Sequence, residues 1–499
     1  MFSSFLNLSI PKFGFGRASG SQPIKIPPVE VHDVEVSSDK RGRRLKHLLK
    51  LNHATFSILY NQLRFHNHTP HILGSAYLLG GTADQLNEIY EDAASNEGHE
   101  PWTESPSEIA LHDYRDFLGK REYQRAFVDF FEDQLVLHGY DWKEIVEHFL
   151  FERGAPKSSD TAPPIFNCLT AGLGHPLIHL GYAYELNSRE VAMEALGLAA
   201  TCYDGKLARL LDGDDGENST SDPHPQPHHP STHSHSHTRS LSLSHNHSHS
   251  AQSTNPNPSP NPPTTYPTND LFEVFACVRD DSRLDAAFDH LGGDNLSHLL
   301  SDPTLTSVLL EHWRAWQITD PTADFAQSQA LAAALLISGN SNLSPSVGGH
   351  DYGYDFFLVH LLTTSHAVRV LVSFLDPQHH LPLVREWLLI TLAIYIAQLR
   401  PPVKREYVTE YDLEGRDWGF VVHEALEGTY RLDAHFVKAC RALKEAARVW
   451  GDDKGENYYL KAAVRFASEF DGWGGFGAED ETEVREVRDS KAKDKAKAY

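Results

Sequence analysis

Hydrophobic positions along the chain recur with the period of an α-helix. Positions expected on a buried face fall three and four residues apart in two stretches, Leu45, Leu48, Leu49, Asn52 and Phe56, then Phe127, Phe130, Phe131 and Leu135. Gly139 ends the second helix, and Asp141 with Glu144 three residues later resembles a capping box at the start of the next one. No run of alternating apolar and polar residues is long enough to predict a sheet. The pattern therefore predicts an all-α fold.

A low-complexity tract interrupts this helical pattern. Residues 213–268 are rich in Ser, Pro, Asn and His, and nine of the 31 histidines lie there. Such a composition cannot bury an apolar face, so we expect disorder; its histidines either store metal or have accumulated without a function. We predict a single large helical domain made of two halves, residues 39–212 and 269–478, with the tract as an insert. A poorly ordered segment at 1–38 precedes them, and a charged disordered tail at 479–499 follows.

The charge of the chain excludes two classes of partner. The 499 residues carry a formal net charge of −24, whereas nucleic acids and anionic membrane surfaces both select clustered Lys and Arg. Four scattered cysteines without a CxxC pair favour a reducing compartment, and the N-terminus lacks a basic signal-peptide region, so we expect a cytoplasmic protein. The longest apolar run, residues 388–397, is about half the length of a membrane span and is interpreted as a buried core helix.

One pair of histidines has the spacing of metal ligands. His175 and His179 are four residues apart, so on a helix they share one face, and Tyr182 continues that face. Pro176 suits a first helical turn and places His175 at the start of the helix. Two neutral imidazoles on one face are what a single helix can offer a divalent metal, although a histidine-rich chain also produces such pairs by chance.

Two further segments add histidines. His66, His68 and His71 precede an apolar helix, where they supply a metal ligand or merely cap the start of the helix. His360 lies in an otherwise apolar stretch. Taken alone, such a histidine is more often a satisfied core residue than a ligand.

The segment that begins at Asp433 combines a histidine with a lysine. Asp433 is typical of a helix N-cap, which places His435 in the first turn and Lys438 three residues later on the same face. A protonated lysine cannot bind a metal. A buried lysine with a depressed pKa can act as a base, or react with CO2 to form a carbamate, which is a carboxylate-like ligand. The spacing is equally typical of an amphipathic surface helix with Lys438 in solvent.

The nucleotide-binding motifs in the chain fail on their context. Residues 472–477 match GxGxxG and residues 14–16 are Gly-Phe-Gly, but neither lies between a predicted strand and a predicted helix. The sequence has no P-loop, no GxSxG elbow and no credible flavin fingerprint.

Four segments in their order along the chain resemble the questin oxidase-like family of fungal secondary metabolism. They are Phe-His-Asn-His at 65–68, the block from His175 to Glu185, residues 355–363 and residues 433–438. The resemblance spans about residues 45–470 without the tract, and HPLIHLGYAYE is its most specific part. It implies an oxidoreductase that inserts oxygen into, and opens, a ring of a polyketide anthraquinone or related fused quinone. It further implies Baeyer–Villiger-type oxidation with NADPH and O2, or ring cleavage at iron.

Residues and resemblance together predict a nonheme iron site. O2 reacts poorly with a closed-shell aromatic, so without a flavin another electron-transfer centre must take part, and histidines from separate helices suit Fe(II). The expected metal ligands are His68, His179 or in its place His175, His360, His435 and, as a carbamate, Lys438. The expected catalytic residues are Lys438, His175 and Tyr182, the last as a hydrogen-bond donor to a quinone oxygen. The alternative is a non-enzymatic helical binding or scaffold protein whose histidine-rich tract sequesters metal.

Overall fold

The protein is built almost entirely from α-helices. The computed structural model describes residues 23–96, 99–153, 163–212, 266–343, 353–451 and 456–476. Within these ranges there are eighteen α-helices and only four strands of two residues each. The all-α fold predicted from the sequence is confirmed. The charged tail and all but the last three residues of the histidine-rich tract lie outside the described residues.

The elements follow one another in this order. The first half of the chain contains α1 (Lys40–Thr55), α2 (Thr69–Leu78), α3 (Ala83–Asn96), α4 (Gln124–Leu137), α5 (Trp142–Phe151), α6 (His175–Leu186), α7 (Arg189–Thr201) and α8 (Gly205–Asp212). The second half contains α9 (Leu271–Asp280), α10 (Asp294–Leu299), α11 (Pro303–Ala315), α12 (Pro321–Ser338), α13 (Phe356–Val372), α14 (His380–Ala397), α15 (Glu406–Thr409), α16 (Trp418–Glu427), α17 (Ala434–Trp450) and α18 (Tyr458–Glu469). Short 3-10 helices lie at Tyr114–Phe117, Arg121–Tyr123, Ile165–Cys168, Gly172–Gly174, Ser282–Leu284 and Pro377–His379. The strands are β1 (Leu59–Tyr60) with antiparallel β2 (Phe65–His66), and β3 (Tyr354–Asp355) with parallel β4 (Trp473–Gly474).

Local sequence signals account for the helix boundaries. The Asp141 carboxylate accepts hydrogen bonds from the backbone of Lys143 and Glu144 at the start of α5, as the capping-box pattern predicted. Helix α4 ends just before Gly139, which has a φ of +64° that glycine adopts without strain. The apolar faces predicted on α1 and α4 are buried, except at Phe56, which follows α1 and is half-buried.

Helix α13 lies at the centre of the core. All of its residues after Phe356 are buried, and it packs against α6, α12, α14 and α17, so that helices from both halves of the chain share one core. Helix α14, with the preceding 3-10 turn, is the only described helix long and apolar enough to cross a membrane. Since 83% of that apolar stretch is buried inside the protein, the run at 388–397 is a core segment, as predicted.

Two segments outside the predicted helical halves make contacts with neighbouring helices. The described part of the N-terminal segment, residues 23–38, has no helix but is held in place. Ile24 and Val34 are buried, and the backbone N–H of Val34 donates to Leu186 O at 3.1 Å. At the end of the tract, Thr268 N donates to Ala315 O at 3.0 Å. Backbone pairing with neighbouring helices orders these segments, and such pairing leaves no periodic pattern in the sequence.

Candidate metal centre

Four helices bring one histidine each to a common point. His68 is the N-cap of α2, His175 is the first residue of α6, His435 lies in the first turn of α17, and His360 lies in the second turn of α13. Their nearest ring nitrogens all lie within 4.8 Å of one another, and all four side chains are buried. Two of these helices come from each half of the chain, so the halves must pack together for the cluster to exist.

Backbone features at the helix starts aim these side chains. Asp355 caps α13 and Asp433 caps α17, each by accepting two backbone N–H bonds in the first turn. Gly174 precedes α6 with a φ of +75°, and a Cβ added there would lie 2.1 Å from Thr364 Cγ2 on α13. Only glycine therefore allows α6 to begin so close to α13, with His175 at its first position.

The hydrogen bonds of two histidines leave a ring nitrogen free for a metal. His175 Nδ1 donates to Gly172 O at 2.6 Å, and His360 Nδ1 donates to Phe356 O at 2.8 Å. The Nε2 atom of each ring then carries a lone pair, as in metal-ligating histidines held by a backbone carbonyl. These two atoms lie 2.8 Å from His68 Nε2 and 3.1 Å from His435 Nε2, respectively. At these distances the two nitrogens of each pair can share one proton in a hydrogen bond, or both can bind the same metal ion.

Electrostatics keep the four imidazoles neutral. Burial is the largest cause that holds their pKa values well below the ordinary value, and Lys438 contributes when it is protonated. Neutral imidazole is the form of histidine that binds a metal. The cluster is therefore ready to coordinate a metal at neutral pH without first losing protons.

His179, which was expected to be a ligand, lies outside the cluster. Its Nδ1 is 2.6 Å from His71 Nε2, and its Nε2 is 3.4 Å from Glu194 Oε2. Glu194 Oε1 lies 3.0 Å from His53 Nδ1, and His53 Nε2 lies 2.9 Å from Glu132 Oε1. The Glu132 side chain is 42% exposed. These five residues, the histidine–glutamate chain, lead from the buried interior to solvent.

Lys438 and Tyr182 lie beside the cluster, on the side of a second, much smaller pocket. Lys438 is buried, its Nζ has no hydrogen-bond partner among the described residues, and burial lowers its pKa to about 7. The Tyr182 hydroxyl lies 2.5 Å from Ser75 Oγ, and its ring stacks on His71 with centroids 5.4 Å apart. The structure thus buries Lys438, whereas the surface-helix alternative would leave it in solvent. Tyr182 lines this small pocket rather than the large cavity that opens onto the cluster.

A large cavity opens onto the cluster. Its volume is about 1280 Å³, and its wall includes His68, His175, Phe356, Phe357 and Phe476. Small-molecule sites typically measure about 300–1,000 Å³, so a fused three-ring aromatic fits inside. The phenylalanine rings offer stacking surfaces. Because His68 and His175 form part of the wall, a molecule bound in the cavity would lie next to the histidine cluster.

Sequence reasoning missed several residues of this region. His53, Glu132 and Glu194 complete the histidine–glutamate chain, yet each lies on a helix face with no motif to mark it. His66 stacks on His175 with ring centroids 3.8 Å apart and supplies no atom to the cluster. The dense histidine segment at 65–71 signalled the site without indicating which of its rings takes part.

Comparison with known proteins agrees with this geometry. A sequence model of the questin oxidase-like family matches residues 65–443, a range that contains all four histidines of the cluster. The chain belongs to the questin oxidase-like family. The resemblance found in the sequence is thereby confirmed.

Named relatives indicate the type of chemistry. The chain is 29% identical to a Baeyer–Villiger oxidase of Paecilomyces divaricatus over 194 residues, 38% of this chain and 40% of that protein. It is 31% identical to a Baeyer–Villiger oxidase of Emericella nidulans over 157 residues, 31% of this chain and 34% of that protein. A questin oxidase of Aspergillus fumigatus aligns at 22% identity over 452 residues, 88% of this chain and 85% of that protein. The alignments with the first two span well under two thirds of those proteins. The family match and the names of these relatives support an oxidoreductase rather than a non-enzymatic binding or scaffold protein.

Proposed function

We propose that this protein is an oxygenase that inserts oxygen into, and opens, a ring of a polyketide anthraquinone or related fused quinone. The observation that carries the proposal is the junction of four buried histidines with a cavity lined by aromatic side chains. A planar substrate in the cavity would lie against His68 and His175, within reach of the ligand cluster. Membership of a family whose named relatives are oxidases supports oxygen chemistry at that junction.

The residues present fit a nonheme divalent metal. The cluster offers neutral imidazoles, and the backbone carbonyls of Gly172 and Phe356 orient two of them with Nε2 inward. Imidazole nitrogens suit Fe(II). Iron held by His68, His175, His360 and His435 would supply the electrons that let O2 react with a closed-shell aromatic.

Lys438 is proposed as an anionic partner of this centre. Among the described residues no carboxylate joins the cluster, and four helix N-termini converge on it, so the charge of a divalent ion lacks a counter-charge. Lys438 lies one turn after His435, is buried, and has an unpartnered Nζ. Its neutral amine can add to CO2, forming an N–C bond and releasing one proton, and the resulting carbamate would offer carboxylate oxygens at this position.

The overall reaction consumes a proton. In its Baeyer–Villiger form, one oxygen atom enters the bond between a ring ketone carbon and its neighbour, which converts the ketone into an ester. O2, NADPH and one proton are consumed, and NADP⁺ and water are released; NADPH is proposed from the family resemblance alone. The histidine–glutamate chain reaches solvent at Glu132, and His71 at its inner end lies beside the ring of His68 with centroids 5.5 Å apart.

We also propose that the protein acts in a reducing compartment such as the cytoplasm. All four cysteines are free thiols, and three of them, Cys168, Cys202 and Cys440, are buried. A fold that needs no disulfide is suited to such a compartment.

The metal is tested by its stoichiometry. A variant without residues 215–265 removes the competing histidines of the tract, and after anaerobic loading it should retain iron equimolar with the chain. His68→Gln, at the wall of the cavity, should lose the iron. His379→Gln is the matched control, because that ring stacks on Phe151 outside the cluster. Equal iron content in the His68→Gln and His379→Gln proteins would contradict the proposal that the histidine cluster binds the iron.

The reaction is tested with oxygen-18. The iron-loaded protein should consume O2 with NADPH in the presence of a hydroxylated anthraquinone such as 1,8-dihydroxyanthraquinone. Mass spectrometry of the product counts the oxygen-18 atoms: one indicates Baeyer–Villiger insertion and two indicate ring cleavage by a dioxygenase. Absence of O2 consumption across a panel of anthraquinones, with iron in place, would contradict the substrate class.

A further inference from the structure

The glycine-rich segment near the C-terminal end of the described chain lies beside the candidate metal centre, with the Trp473 ring next to His435. Residues 472–476, called here the C-terminal strap, include β4, which pairs in parallel with β3 directly before α13. Tyr354 N donates to Gly472 O at 2.9 Å. The strap residues belong to the GxGxxG match at 472–477, whose described part forms no turn followed by a helix, as a nucleotide site would require. The segment is instead attached to the start of α13, the helix that carries His360.

The strap is connected to the N-caps of two ligand-bearing helices. Trp473 Nε1 donates to Asp433 Oδ2 at 2.8 Å, while Asp433 Oδ1 accepts the backbone N–H of His435 at 2.9 Å. Gln398, in the amide orientation that satisfies both of its polar atoms, donates to Asp355 Oδ2 at 3.0 Å and to Gly475 O at 3.3 Å. One short segment therefore connects the start of α13 with the start of α17.

Close approach explains a glycine in the strap. Gly475 has a φ of +87°, and a Cβ added there would lie 2.7 Å from Asp355 Oδ2. Any other residue would push the strap off the N-cap carboxylate or strain the backbone. The glycine at position 475 is thus required by its contact with the start of α13.

The aromatic side chains of the strap complete the wall beside the cluster. The Trp473 ring lies 5.9 Å from the His435 ring, centroid to centroid. Phe476 lies 4.8 Å from Phe356 and 6.3 Å from Phe357, and all three phenylalanines line the cavity. Offset and edge-on contacts at these distances are attractive, so Phe476 extends an aromatic surface toward a bound planar ring.

We propose that Phe476 determines how tightly the cavity holds a fused aromatic substrate, and that Trp473 is a positioning residue that sets His435 through Asp433. The inference rests on the proposed function, because it assigns the strap a role in the same site. The strap lies beyond residue 443, where the match to the family ends.

Phe476→Ala tests the substrate-contacting role. The probe is 1,8-dihydroxyanthraquinone, whose binding is followed by quenching of tryptophan fluorescence in the iron-loaded full chain. We expect the Kd and the KM to rise about tenfold, as loss of aromatic contact predicts, with kcat and iron content close to wild type. Phe272→Ala is the matched control, since Phe272 is half-buried beneath Arg405, away from the cavity wall.

The outcomes separate the two proposals. If Phe476→Ala binds the probe as tightly as wild type while keeping its iron, the role of Phe476 is wrong. If the wild-type protein fails to bind the probe at all, the proposed substrate class is wrong, whatever the strap does. If Phe272→Ala weakens binding of the probe equally, the effect reflects a general loss of packing, and the proposed contact between Phe476 and the substrate is wrong.

Trp473→Phe tests the positioning role. The substitution keeps an aromatic ring but removes the Nε1–H that holds Asp433. Because outer hydrogen bonds of this kind typically contribute about tenfold to a hundredfold in metal affinity, a chelator should remove iron correspondingly faster. Co(II) absorption in the same variant should shift, reporting a changed ligand field. Trp313→Phe, which loses an Nε1–H bond to Arg385 O between α11 and α14, is the control. Identical iron release from the two variants would overturn the role of Trp473.

Discussion

Replacement of His53 by glutamine tests the buried charges of the histidine–glutamate chain. Burial alone would lower the pKa of this imidazole, but hydrogen bonds and attraction from Glu132 and Glu194 outweigh it and raise the pKa from 6.5 to about 10. The folded protein therefore holds His53 as a cation between two carboxylates. That cation lies 3.0 Å from the buried carboxylate of Glu194 and stabilises its negative charge.

The magnitude follows from the shift in pKa. A rise from 6.5 to about 10 corresponds to at most about 5 kcal/mol of stabilisation, at about 1.4 kcal/mol per pKa unit. Because the folded pKa lies above the unfolded value, the stabilisation is complete below pH 6.5 and is lost as the pH rises through about 10. At about pH 9 roughly 1.4 kcal/mol should remain. The pKa values of both glutamates are lowered, so their own stabilising contributions are lost only at acidic pH.

The assay is urea unfolding of the metal-free protein at about pH 6 and about pH 9. We expect His53→Gln to lower the free energy of unfolding by several kcal/mol at the lower pH and by much less at the higher one. His112→Gln, whose side chain is 84% exposed, is the control and should differ from wild type by less than about 0.5 kcal/mol. A loss of stability in His53→Gln that is constant with pH, or that grows as the pH rises, would refute the assignment of a charged His53.

Three further predictions concern the metal centre and its surroundings. Lys438→Ala should abolish turnover, and added bicarbonate or acetate should restore part of it; an active variant with full iron content would remove the lysine from the mechanism. Gly174→Ala should lower both Tm and iron content, because its Cβ would meet Thr364 Cγ2 at 2.1 Å, whereas Gly139→Ala, also at positive φ but with open space around it, should retain its iron. Deletion of residues 215–265 should leave folding and turnover intact, since the composition of the tract cannot bury an apolar face; a well-folded but inactive deletion variant would show that the tract takes part.

The sequence by itself determined several of the helices and where they start. Period-3.6 apolar faces predicted α1 and α4, and the caps at Asp141 and Asp433 were read from the residue types that follow them. Pro176, as a residue typical of a first helical turn, correctly placed His175 at the start of α6. All of these signals act over a few residues, so they are complete within the local sequence and need no knowledge of packing.

Only the tertiary structure decided which histidines meet. His175 and His179 share one helix face in the sequence pattern, yet the close start of α6 against α13 at Gly174 turns His175 into the cluster and leaves His179 against Glu194. The burial of Lys438 depends in the same way on helices packed around α17. This cluster brings ring nitrogens from four helices within a few ångströms of one another. Its two closest pairs are far apart along the chain, His68 and His175 by 107 residues and His360 and His435 by 75. No local pattern encodes such distances, because they result from how whole helices pack against one another.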